Sequence, residues 1–353
     1  MGNLSNRRVV LIGGAGFIGH NLALKLNSLG AEVFVIDSLA VNNYHYFNTN
    51  IDAIPNSKLY LEIIQHRLDL LRENGIALIE QDSRAYIELS HIIGKIKPDT
   101  IIHLAAVAHA DRSNKDPYST FDHSLRTLEN ALDIARSPEL KIKHFVYFSS
   151  SMVYGNFPAG FVTEETSCEP LGIYGALKFA GEKMVIAYNQ VFDLPFTIIR
   201  PSALYGERCV SRRVGQIFIE NAIQGLDVSI SGNGSDCLDF TYIGDLSEGI
   251  VKVLINSNSK NQIFNMTYGQ ARSIKDMASI LVEHFPDIKI KYLPKDKLMP
   301  DRGTLSVEKA TKLLGYNPRH PLEVGFVKYI EWYKSIWPQL QKAKKAKTIN
   351  KRN

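Results

Sequence analysis

Tyr174 and Lys178 stand four residues apart in the run Tyr174-Gly175-Ala176-Leu177-Lys178, a spacing that makes them neighbours on one helix face. A tyrosine hydroxyl titrates near pH ~10 and is a poor base at neutrality. An ammonium about a turn away, together with a bound cation, stabilises the phenolate and lets it take a proton from an alcohol. Upstream, Ser149-Ser150-Ser151 closes an apolar run, and a hydroxyl there can hydrogen-bond a substrate oxygen and hold it against the tyrosine. Such a set suits removal of hydride from a carbinol, provided something else accepts the hydride.

The acceptor is signalled by Gly13-Gly14-Ala15-Gly16-Phe17-Ile18-Gly19, which satisfies both GxGxxG and GxxGxxG. Glycines at this spacing allow a tight turn, let a pyrophosphate approach bare backbone, and pack a helix close to the preceding strand. The helix start then faces the phosphates with unpaired N–H groups and a favourable dipole. Asp37 lies 18 residues past Gly19, where a carboxylate accepts from the ribose hydroxyls and repels a 2′-phosphate, which favours NAD over NADP. Asp82 suits two roles, an acceptor for the adenine amino group or a cap for the next helix. His103-Leu104-Ala105-Ala106 ends a further apolar run. Its small residues let backbone line the dinucleotide, and His103 reads as a satisfied histidine near the core.

These residues need a scaffold, and the apolar runs supply one. Val9–Ile12, Val33–Ile36, Ala77–Ile79, Thr100–Leu104, His144–Phe148 and Phe196–Ile199 are rich in β-branched residues and nearly continuous, the pattern of strands buried on both faces of a parallel sheet. Helix-like stretches such as Ile18–Leu29 and Ala176–Gln190 separate them. The alternation predicts an α/β, doubly wound parallel sheet over residues 1–200. Residues 41–74 are an insertion between the second and third strands, helical over Leu59–Leu71. Residues 201–338 read as a smaller, mainly substrate-binding α/β lobe with segments interleaved with the first. Residues 339–353 read as a basic, flexible tail.

Composition narrows the class. The chain has 353 residues, 45% hydrophobic and 22% charged, an ordinary globular balance. The net charge of +5 is misleading, because Lys342, Lys344, Lys345, Lys347, Lys351 and Arg352 lie in the tail. Without those six charges the body carries −1, which offers no basic stripe for nucleic acid. Cys168, Cys209 and Cys237 form no disulfide or metal-binding pattern, in keeping with a cytoplasmic setting. Neither a membrane span nor a signal segment is evident. Serine-hydrolase and metalloenzyme spacings, GxSxG and HExxH, are lacking.

From Val9 to Tyr333 the chain resembles the extended short-chain dehydrogenase/reductases of the NAD-dependent epimerase/dehydratase family, which carry a Rossmann fold and act on nucleotide-diphosphate sugars. The likeness rests on GGAGFIG, HLAA, FSSSMVYG, YGALK, RPSALYG, GNGSDCLDFTYIGDL and LGYNP. It implies that Ser150, four residues before Tyr154, is the catalytic hydroxyl and that Tyr174 is the base and acid. Lys178 then tunes Tyr174 and binds the nicotinamide ribose. Family 4,6-dehydratases carry Asp-Glu in the two slots held here by Ser151 and Met152; decarboxylating members carry Glu in the second, and 3,5-epimerising members a cysteine. A thioether is neither acid nor base, so the family pattern points to a 4-epimerase. The stretch HRLDLLRENGIALIEQD resembles UDP-glucuronate 4-epimerases, and UDP-N-acetylglucosamine 4-epimerases are also close in look. The competing readings are a 4,6-dehydratase or C4 oxidoreductase of the same family, or a non-catalytic NAD-binding protein.

The pattern departs at Ala203, where Asn or Thr is usual, and at Leu238, where an arginine commonly reads the pyrophosphate. Arg208, Arg212, Arg213 and Arg302 are offered as compensating phosphate ligands, with Ser150 and Ser151 toward the sugar. The family likeness also implies a homodimer through the helices around residues 119–135 and 176–190.

Overall fold

The computed structural model describes residues 4–108, 110–294 and 300–349. Seven strands, Arg8–Ile12 (β1), Glu32–Asp37 (β2), Ala77–Glu80 (β3), Thr100–His103 (β4), His144–Phe148 (β5), Phe196–Arg200 (β6) and Gln262–Asn265 (β7), form one sheet. Its spatial order is β3-β2-β1-β4-β5-β6-β7 and every pairing is parallel. The strand order reverses between β1 and β4, which leaves a crevice at the strands' carboxyl ends, the usual ligand position of such sheets.

The helices used below are Phe17–Ser28 (α1), Ser57–Glu73 (α2), Tyr86–Ile96 (α3), Thr127–Ala135 (α4), Gly172–Phe192 (α5), Val214–Ile223 (α6), Ile243–Ile255 (α7) and Leu322–Ile349 (α8). Alternate β1 residues enter different cores. Val9 and Leu11 pack with Leu22 and Leu26 of α1, while Val10 and Ile12 pack with Leu89 and Ile93 of α3 and Leu128 of α4. Burial on both faces is why the strands read as unbroken apolar runs. The two-sided cover leaves only the strand ends free to hold polar chemistry.

Six strands fall where the sequence placed them, within a residue at either end. The seventh, β7, was not anticipated. It is only four residues long and comes from beyond residue 200 to pair with β6, Phe264 against Ile199. The insertion helix α2 extends past the expected Leu59–Leu71 and buries Tyr60, Ile63, Ile64, Arg67 and Leu71. Within the expected tail, α8 runs through Pro338 to Ile349. Lys351 and Arg352 lie outside the described residues, as do Met1–Asn3.

A buried ion pair ties the functional ends of the strands together. Arg200, ending β6, pairs with Glu182 of α5 at 2.6 Å, with side chains only 3% and 1% exposed. Ser149 donates to the same carboxylate, and Arg200 donates to the Tyr154 hydroxyl, which in turn donates to Asn265 of β7. Removing one member leaves a buried charge without its counter-ion. Glu182→Ala is therefore expected to destabilise the fold by about 3–5 kcal/mol, measured by urea unfolding; a loss below ~1 kcal/mol would contradict the arrangement.

Candidate active site

The crevice is one cleft of about 550 Å³ running from the glycine turn to Arg302. Gly13 must be glycine: its φ is +79°, and an added Cβ would meet the Ala105 nitrogen at 2.6 Å. That contact presses the β1 turn against the end of β4. At Gly19 an added Cβ would collide with the Gly14 backbone, so α1 packs directly on the turn. Gly16 differs, since a Cβ there would have only the Gly13 carbonyl, at 3.4 Å, within 4 Å. Gly16 caps α1 and lines the cleft with Phe17, Ile18 and Gly19, so bare backbone and a helix start face the opening.

Asp37, at the end of β2, accepts the Ala15 and Leu39 amides at 2.9 and 2.8 Å. These bonds fix the carboxylate against the glycine turn, and each oxygen keeps a further lone pair for a ligand. Burial raises its pKa despite them. Asp82 also lines the cleft, but its helix-cap reading is corrected. The residue before α3 is Ala85, which gives no side-chain cap, while Asp82 accepts the Arg84 amide and pairs with its guanidinium at 2.6 Å. Leu104, Ala105 and Ala106 form the adjoining wall. His103 is buried as expected but not satisfied: neither ring nitrogen has a hydrogen-bond partner, and burial pushes its pKa down to about 3. It stays neutral.

At the other end, α5 begins four residues earlier than its sequence pattern, so Tyr174 sits in its first turn. Lys178, one turn on, is 5% exposed and donates to the Phe148 carbonyl at 2.7 Å, its ammonium over the Tyr147 ring. The three serines separate by partner. Ser149 is held by Glu182, and Ser151 accepts from Arg302. Among the described residues, the Ser150 hydroxyl accepts only the Met152 amide, at 3.2 Å, which leaves its proton available to a ligand. Ser150, Tyr174 and Lys178 all line the cleft.

The arginines divide. Arg302 and Arg213 line the cleft, and Arg302 also donates to Ser202 at 3.4 Å while its Nε has no partner. No carboxylate forms an ion pair with Arg302 among the described residues, and burial pushes its pKa down to about 10. A guanidinium held this way is prepared for an incoming anion. Arg208 is corrected: its side chain turns away to donate to His20 and Asn21 of α1, both at 3.0 Å, and it does not line the cleft. Its backbone is left-handed, with a φ of +62°. Arg212, Ala203 and Leu238 line the cleft. Sequence reasoning missed Ser202, which meets Arg302 across 100 residues, and Gln216, whose partners Ser211, Arg212 and Glu220 lie within five residues but form no recognisable motif.

A model of the NAD dependent epimerase/dehydratase family matches residues 9–267, and the chain belongs to that family. It is 28% identical to an uncharacterized UDP-glucose epimerase of Bacillus subtilis, over 94% of this chain and 99% of that protein. It is also 28% identical to UDP-glucuronate 4-epimerase 1 of Arabidopsis thaliana, over 95% of this chain and 79% of that one. Among solved structures, UDP-glucuronic acid 4-epimerase from Bacillus cereus, in complex with UDP-glucuronic acid and NAD, matches with a TM-score of 0.82. The identity is 26%, over 93% of this chain and 99% of that one. The family's cofactor fits this site: the Gly16 backbone is open to the cleft, and the Asp37 carboxylate has acceptor capacity left.

Burial lowers the Lys178 pKa from its ordinary 10.5 to about 8. The ammonium is present below that pH and lost above it, so kcat/KM is expected to fall as pH rises through about 8. Stability responds differently. Between about 8 and 10.5 the unfolded lysine keeps a proton that the folded one has released, so this group favours folding increasingly as pH rises. A pH–rate profile flat to pH ~9.5 would refute the assignment.

Proposed function

We propose that this protein is an NAD-dependent 4-epimerase of UDP-hexose derivatives, working by transient oxidation at C4. The observation that carries the reading is the convergence of Ser150, Tyr174 and Lys178 with the glycine turn in one cleft. NAD, held by the glycine turn and Asp37, would supply the acceptor and later the donor of the C4 hydride. Tyr174 takes the C4 hydroxyl proton and gives it back. Ser150 donates to the same sugar oxygen, and its Met152 contact keeps that hydroxyl oriented. Lys178, held by Phe148, offsets the charge the tyrosine oxygen acquires. Arg302 and Arg213 hold the diphosphate, and Asp37 and Asp82 receive the ribose hydroxyls and adenine amino group. Leu104, Ala105 and Ala106 line the dinucleotide with small residues and bare backbone.

Proton NMR time courses on UDP-glucose, UDP-N-acetylglucosamine and UDP-glucuronate test this. C4 epimers are expected without consumption of added NAD; stoichiometric NADH or a 4-keto-6-deoxy product would reject it. Tyr174→Phe is expected to lower turnover by about 10²–10⁴-fold with the fold intact, and near-normal turnover would remove Tyr174 from its role. We also propose a cytoplasmic homodimer built on residues 119–135 and 176–190, which carry exposed Phe121 at one helix end. Light scattering is expected to give twice the monomer mass, and a monomer at assay concentration would reject it.

A further inference from the structure

The insertion at residues 41–74 has no part in the chemistry above, yet its side chains reach the cleft rim at several points. Asn42 donates to the Val210 carbonyl at 2.8 Å. Arg67 of α2, 1% exposed, donates to the Arg208 carbonyl, with its Nε at 2.9 Å. Tyr60 and Asn56 donate to one carboxylate oxygen of Glu220 at 2.7 and 2.9 Å. The other oxygen accepts from Gln216 and from Tyr333 of α8, both at 2.8 Å. Glu220 is 2% exposed, and these four neutral donors match the acceptor capacity of its carboxylate.

That arrangement fixes the Gln216 amide. Its NH₂ must face the carboxylate, which only accepts, so its carbonyl oxygen must face the rim. There it accepts the Ser211 and Arg212 amides, both at 2.8 Å. Arg212 has a φ of +52°, a left-handed conformation that a non-glycine residue adopts at a cost. The next residue, Arg213, precedes α6 and projects along the cleft, where it donates to the Ala108 carbonyl at 3.2 Å.

We infer that the insertion is a positioning clamp: through Glu220 and Gln216 it fixes the backbone at Ser211 and Arg212 and thereby aims Arg213 at the diphosphate of the nucleotide sugar. The inference rests on the UDP-sugar reading above. Tyr60, Gln216 and Glu220 are positioning residues that act through Arg213. A purely structural network would affect melting without changing the affinity for one ligand relative to another.

The test is calorimetric titration of the NAD-loaded protein with UDP. Gln216→Met is expected to weaken UDP roughly tenfold, and Tyr60→Phe, which loses one hydroxyl, about threefold. Bound NAD per chain is expected to be unchanged in both. Adding Gln216→Met to Arg213→Gln is expected to cause no further loss, because the first acts through the second. UDP affinity equal to wild type in both single variants, or additive losses in the double variant, overturns the clamp. Should Gln216→Met not fold, Tyr60→Phe decides. A wild-type protein that holds NAD and ignores UDP overturns the function reading itself.

Discussion

Lys178 is a buried cation whose position is fixed by the Phe148 carbonyl at the end of β5. A buried ammonium is costly unless its protons find acceptors, and the last carbonyl of a parallel strand, at the crevice, is one that the sheet leaves available. This bond sets the depth of α5 against β5. Tyr174, one turn earlier, is thereby carried to the same strand end as Ser150, and neither needs a flexible loop to reach the other. The placement of Ser150, Tyr174 and Lys178 in one cleft follows from how a helix is pinned to a sheet. The same burial that locates the lysine weakens its hold on its proton.

Beneath that bond lies a second layer of charge. The Arg200–Glu182 pair links α5 to β6, and Tyr154 and Asn265 extend it to β7. A hydrophobic substitute of similar shape could stabilise as well or better. What the polar network adds is direction, because Ser149, Tyr154 and Arg200 each bond at a fixed angle. It engages the Ser149 hydroxyl, while the proton of its neighbour Ser150 stays available in the cleft that both residues line.

The sequence made the sheet and the cofactor turn legible because both depend on local, repeated constraints. Two-sided burial writes continuous apolar runs, and a turn pressed against a neighbouring strand admits only glycine. The spacing of Tyr174 and Lys178 was legible for the same reason, since it lies within one helix. What the sequence hid was determined by contacts distant in the chain. Strand β7 is four residues long and is defined by its partner β6. Arg208 and Arg213 are alike on paper, and only the backbone at Arg208 and the acceptors on α1 show that one leaves the cleft while the other stays. Of the two roles Asp82 suits, the structure removes the helix cap, since Ala85 precedes α3 and Arg84 occupies the local turn of Asp82.

The chemistry beyond C4 is limited by where the acids are. Losing water across C5–C6 would need a proton donor and acceptor next to the sugar in addition to Tyr174. The carboxylates lining the cleft, among the described residues, are Asp37 and Asp82, both assigned to the adenosine end. Glu182 is committed to Arg200, and Asp239 accepts from Leu305, Thr267 and Gly269; neither lines the cleft. At the two slots beside Ser150, the Ser151 hydroxyl is engaged by Arg302 and Met152 offers only a thioether. A sugar carbon near these slots therefore meets a tyrosine, a serine and guanidinium groups, but no carboxylate beyond Asp37 and Asp82 lines the cleft among the described residues. On the 4-epimerase reading proposed above, that lining suits return of a hydride rather than loss of water.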